Sequence, residues 1–139
     1  MKKGRQRVRF GRFSALAAGL FLMSSSALSH HSFPATYIEG EAVKIEGDLV
    51  AFMFRNPHSY VHVNVKDQSG RVVRYAVEWG AAASLGKDGI DRGTLKPGDH
   101  VIITGLPGRN EADHRMLLKT IERPSDGFKW GFEEGEVVE

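Results

Sequence analysis

Two adjacent histidines, His30 and His31, have the clearest capacity for chemistry in this sequence, because they stand directly behind a stretch built for removal. A cut before His30 makes it the first residue, so that its α-amine and its ring nitrogen can chelate one metal ion together. One more imidazole completes a T-shaped, three-nitrogen set, the histidine brace. Tetragonal nitrogen coordination favours Cu(II), which also heads the divalent affinity order. The third nitrogen is available from His58, in a turn that can face the N-terminal arm, or from His62 on the polar side of a strand. His31 is the local alternative, although neighbouring side chains on an extended arm point to opposite sides. Glu78 is placed to act as a fourth ligand or to orient a ligating imidazole.

The stretch in front of the histidines has the order of a secretory leader. Lys2, Lys3, Arg5, Arg7, Arg9 and Arg12 form a basic region without an acid, Phe13 to Met23 is a short apolar run, and Ser24 to Ser29 is rich in small residues. The apolar run is shorter than the roughly 20 residues a membrane helix needs. No Arg-Arg pair is present, which favours the general secretion route over the twin-arginine one. Residues 1–29 are therefore read as a signal peptide, the mature protein as periplasmic, and no membrane attachment is expected after cleavage. A second cut, after Ala27 with Ser25 at minus three, is also compatible. It would place His30 third, where the amine, two deprotonated backbone amides and the imidazole make a square-planar Cu(II) or Ni(II) site.

Removal of the leader reverses the charge. It carries six of the nineteen basic residues and none of the seventeen acidic ones, so the mature chain has thirteen against seventeen, a net charge of −4. Nucleic acid is excluded as a partner on this ground, since phosphate binding needs clustered Lys and Arg. Cysteine is absent, so a metal must be held by imidazole, carboxylate or backbone nitrogen.

Behind the histidines, residues 30–40 read as an extended arm, with Pro34 opposing regular helix and Phe33 and Tyr37 available to pin it to a core. Residues 41–123 carry the folded domain. Glu41 to Phe54 is the first strand, with a bend or bulge expected near Gly47, where the alternation slips. After the Arg55-Asn56-Pro57-His58 turn, Val61, Val63 and Val65 share one face of a second strand and Tyr60, His62 and Asn64 the other. Asp67 to Gly70 makes a hairpin loop into a third strand, Arg71 to Trp79, with Val73, Tyr75, Val77 and Trp79 on one face and Arg74 and Glu78 on the other. A short helix over Gly80 to Gly86 and a second turn from Asp91 precede the Pro97-Gly98 turn. His100 to Gly105 and Arg115 to Glu122 give strands four and five. Residues 124–139 form an acidic tail in which Phe128, Trp130 and Phe132 alternate, free to pack back as an arm or to fray. Five short strands with one or two small helices between the third and fourth fit an all-β, five-stranded Greek-key barrel of the OB type; a two-sheet sandwich is the competitor.

His-His-Ser-Phe at residues 30–33, Asn56-Pro57-His58, the strands His62 to Asp67 and Glu78-Trp79-Gly80, and Leu95-Lys96-Pro97-Gly98-Asp99 together resemble the bacterial exported domain-of-unknown-function family six-one-five-two. The resemblance covers roughly residues 30 to 123 and implies an exported small β-barrel with no established activity. The acidic tail after Arg123 departs from the pattern.

The residues support a second reading from another class: a metal-free periplasmic module binding a small polar ligand or a protein partner. OB-type barrels bind on the face of strands two and three. Here Tyr60, Asn64 and Arg74, with His62 and Glu78, line that face. Catalysis by protein groups is not expected, since the sequence has no Gly-x-Ser-x-Gly elbow, Walker loop or His-Glu-x-x-His helix. Glu46 and Asp48, and His100 and His114, are read as solvated surface residues.

Overall fold

A computed structural model describes residues 33–131. The second strand dictates much of the architecture. Val61 and Val63, alternating with polar neighbours, are fully buried, so β2 (Tyr60–Lys66) turns one edge of its pleat into a core and the other outward. It pairs antiparallel with β1 (Val43–Met53) on one side and with β3 (Val72–Glu78) on the other. β1 is long enough to serve two neighbours: its first half pairs with β4 (His100–Pro107) and its second with β2. β4 pairs with β5 (Arg115–Arg123), and β5 returns to lie parallel to β3 through Ala76↔Arg115, Val77↔Met116 and Glu78↔Leu117. That last pairing closes a five-stranded barrel of OB topology, and a two-sheet sandwich is ruled out because one continuous ladder joins all five strands.

β1 crosses between its partners at Gly47, which stands opposite Val65 on one side and Val101 on the other. The bulge itself falls a few residues later, between Leu49 and Ala51. At the far end of the barrel, α2 (Ala82–Leu85) and a 3-10 turn over Gly86–Asp88 bring Leu85, Ile90 and Leu95 into the core as a plug. α2 has no cap of its own; Asn56, in the turn after β1, accepts from the Ala83 N–H at 3.1 Å. The Leu95 to Asp99 turn is a structural latch. Leu49 N–H donates to the Asp99 carbonyl and Gly98 N–H to the Leu49 carbonyl, both at 2.8 Å, and Arg123 reaches back from the end of β5 to Asp99 and to the Thr94 carbonyl.

Two segments depart from the sequence reading. The arm contains a single helical turn, α1 (Phe33–Thr36), which Pro34 tolerates because the N–H it lacks has no intrahelical partner in a first turn. The tail contributes a sixth strand, β6 (Phe128–Trp130), paired with β5 after a turn at Asp126-Gly127. Its aromatics alternate as a strand's should: Trp130 packs edge-on against Trp79 at 5.0 Å, and its indole N–H donates to Asp88.

Candidate functional site

By the alternation that buries Val77, the neighbouring Glu78 points out of the barrel, yet it is only 8 % exposed. The arm covers it. Tyr37, 1 % exposed, pairs with Gly108 as an isolated bridge, and Ile38 N–H to the Pro107 carbonyl at 2.9 Å and Arg109 Nε to the Pro34 carbonyl at 2.7 Å tie the arm along the end of β4. From there the Tyr37 hydroxyl donates to Glu78 Oε2 at 2.6 Å. Burial first, and then the carboxylate beside it, raise the Tyr37 pKa above the ordinary phenol value, which keeps that donor proton in place. The other carboxylate oxygen, Oε1, lies 3.1 Å from Nδ1 of His58, whose side chain is 42 % exposed. The turn carrying His58 is held by the Arg55 side chain on the His58 carbonyl and by Ser59, buried and bonded to Arg55 N–H and C=O. One carboxylate therefore joins the arm to His58.

His62 lies with Tyr60, Asn64 and Arg74 on the outer face of β2 and β3, as the alternation requires. Much of that face is internally paired: Arg74 donates to Asn64 at 3.1 Å, and the Arg55 guanidinium sits 5.3 Å over the Tyr60 ring. Partial burial, then Arg74 and Arg55, lower the His62 pKa, and the positive charge of the two guanidiniums opposes a metal cation there. Among the described residues, no group of three or more His, Asp or Glu side chains is placed to hold a metal ion, so His58, His62 and Glu78 do not make a site by themselves. His30 and His31 lie outside the described residues.

A third cluster escaped the sequence reading. His100 is exposed, but it stands between two carboxylates, with Nδ1 2.9 Å from Asp48 and Nε2 2.8 Å from Glu46. Register creates it: Asp48 is the cross-strand partner of His100, and Glu46 is two residues along the same face. Asp48 and then Glu46 raise the His100 pKa. A raised folded-state pKa stabilises the protein below the unfolded value of about 6.5, and the contribution is lost as pH rises through the folded value. His100→Gln is accordingly expected to lower the thermal midpoint at about pH 5.5 and to change it little at about pH 9.5, as read by calorimetry across that range.

The surface beside the β2–β3 hairpin is indented. A half-open groove of about 310 Å³ lies there between Val65, Val73, Tyr75 and His114, with Asp67 and Arg71 at its rim. His114 stacks on Tyr75 with ring centroids 5.3 Å apart, and Ser69, then Arg71, hold the Asp67 carboxyl down to about 2. At the plugged end, the buried Trp79 indole N–H has no hydrogen-bond partner among the described residues, its ring packing between Phe52 and Trp130.

No curated protein matches the chain. A family model, described as a family of unknown function, matches residues 18–117. That span runs from ahead of the arm to the start of β5, taking in Tyr37, the His58 turn, Glu78 and the Leu95 to Asp99 latch, and so the chain belongs to the family of unknown function DUF6152.

Proposed function

We propose that this protein is exported to the periplasm and binds copper through a processed N-terminal His30, as a binding protein rather than an enzyme. The observation that carries the reading is the shared carboxylate of Glu78. A carboxylate on one ring nitrogen is the usual device for orienting a metal-ligating imidazole through the other. Here Nδ1 of His58 is turned to Glu78 Oε1, so the carboxylate sets the orientation of the ring. The same carboxylate anchors Tyr37, seven residues downstream of His30 in sequence. His58 is thus favoured over His62 as the imidazole that completes the nitrogen set, and His62 is disfavoured by its two arginines. The α-amine, with a free pKa of about 7.7–8.0, and the imidazoles must be deprotonated to ligate, so affinity falls as pH drops below neutrality.

The test begins with the intact mass of the exported protein, which reads whether residue 30 is first. Cu(II) titration followed by electron spin resonance is then expected to show one tight site, lost in His30→Ala and weakened about 10- to 100-fold in His58→Ala. A four-nitrogen signature indifferent to His58→Ala would instead identify the Leu28-Ser29-His30 chelate. Copper binding unchanged by His30→Ala would overturn both.

A further inference from the structure

The hairpin of β2 and β3 runs past the point where the barrel closes. β3 begins at Val72, but its pairing with β5 begins only at Ala76↔Arg115. Along Val72 to Tyr75, the edge of β3 away from β2 has no partner strand among the described residues. Ala76 shows which groups that edge presents: its N–H points to the β5 side, donating to the His114 carbonyl at 2.9 Å. Successive residues alternate sides, so the N–H and C=O of Arg74 and Val72 face the open edge. Val72 is 60 % exposed there, an unusual position for a β-branched side chain on an open strand edge.

The two faces beside this edge differ in chemistry. On one side lies the groove of about 310 Å³ lined by Val65, Val72, Val73, Tyr75 and His114, where the rim carboxylate of Asp67 is already paired with Arg71. On the other lie Arg74 and, one cross-strand step on, Arg115 opposite Ala76, both exposed. A strand laid along Val72 to Tyr75 in continuation of β5 would direct alternate side chains to these two surfaces, one set toward the valines and Tyr75 of the groove and one beside the arginines. We infer that the open edge of β3 along Val72 to Tyr75 is a docking site for an extended polypeptide segment in which acidic and apolar residues alternate. Main-chain bonds to Val72 and Arg74 supply the strand addition, the groove takes the apolar side chains, and the arginines select acidic ones. This site does not depend on the copper reading.

The experiment uses the mature protein in the presence of EDTA and a blocked synthetic peptide, Glu-Val-Glu-Val-Glu-Val. Saturable binding is expected, with the Arg74 and Val72 amides becoming protected from hydrogen exchange and shifting in NMR spectra. Arg74→Glu, at an exposed position outside the core, is expected to weaken binding about fivefold or more and to reverse the preference toward Lys-Val-Lys-Val-Lys-Val. Methylating alternate peptide nitrogens should abolish binding. Failure of the Glu-Val peptide to bind, binding indifferent to N-methylation, or protection at residues other than those of the β3 edge overturns the proposal. So does a concentration-dependent dimer closing this edge, which would make a second copy of the chain its occupant.

Discussion

Replacing Glu78 by Ala is expected to lower the unfolding free energy by about 2–4 kcal/mol, because it strands a buried hydroxyl and releases the arm in one step. The Tyr37 side chain is 1 % exposed and its hydroxyl donates to Glu78 Oε2. Without an acceptor, that hydroxyl carries an uncompensated desolvation cost of about 1–3 kcal/mol. Glu78→Gln keeps an acceptor of the same reach and should cost about half as much. Adding Tyr37→Phe to Glu78→Ala should cost little more, since the stranded hydroxyl leaves with the tyrosine. A double-mutant cycle on urea unfolding isolates the coupling. The same variants separate stability from site chemistry: Glu78→Ala removes the carboxylate 3.1 Å from His58 Nδ1, so under the proposed copper reading affinity should fall about 10-fold or more under conditions where the protein is still folded. Unfolding free energies equal to wild type in both Glu78 variants would mean that the arm is held by its bonds to Pro107 and to the main chain and side chain of Arg109.

What was legible in the sequence was whatever depends on neighbours along the chain. The period of two in Tyr60 to Lys66 reports burial directly, and Val61 and Val63 are fully buried. The same logic put Glu78 on the outward face, and Tyr37, read as a residue available to pin the arm, is buried. What was not legible depends on register. Tyr37 and Glu78 are 41 residues apart, and no local pattern says that the arm's tyrosine ends on that carboxylate. His100 and Asp48 are 52 apart and become partners only once β1 and β4 are aligned, so an exposed histidine and two exposed acids read singly as solvent-facing side chains. β6 had a signal, the Asp126-Gly127 turn followed by Phe-Lys-Trp alternation, but three residues are too few to distinguish a strand from a loosely packed arm. Pro34 misled because its prohibition on helix applies to interiors, and α1 is a single turn.

Gly47→Ala should be the most damaging single-methyl change in the barrel, by roughly 3 kcal/mol, the upper part of the range for overpacking. Slippage of the alternation around Gly47 points to a bend or bulge near it; the bulge lies between Leu49 and Ala51, and Gly47 itself is where the strand approaches β2 most closely. A Cβ at position 47 would meet the Asn64 carbonyl oxygen well inside contact distance and lie 3.1 Å from a Val63 methyl. The first of these is backbone, fixed in the β1–β2 ladder, and cannot yield as a flexible side chain does. Gly47 is also where β1 passes from one partner to the other, opposite Val65 and Val101, so displacement there disturbs both ladders. Gly105 is built alike on β4, with the Leu117 carbonyl where its Cβ would be. Gly86→Ala is the matched control. It has a right-handed helical backbone, φ −61 and ψ −27, and open space around it, so a methyl there should be neutral or add about 0.4–1 kcal/mol by restricting the unfolded chain. Urea unfolding with an unchanged slope reads the comparison, since the slope reports surface exposed rather than stability. Equal midpoints for the two variants would show that β1 can shift at Gly47 without loss, and that the close approach to β2 is not what sets the path of the strand around the barrel.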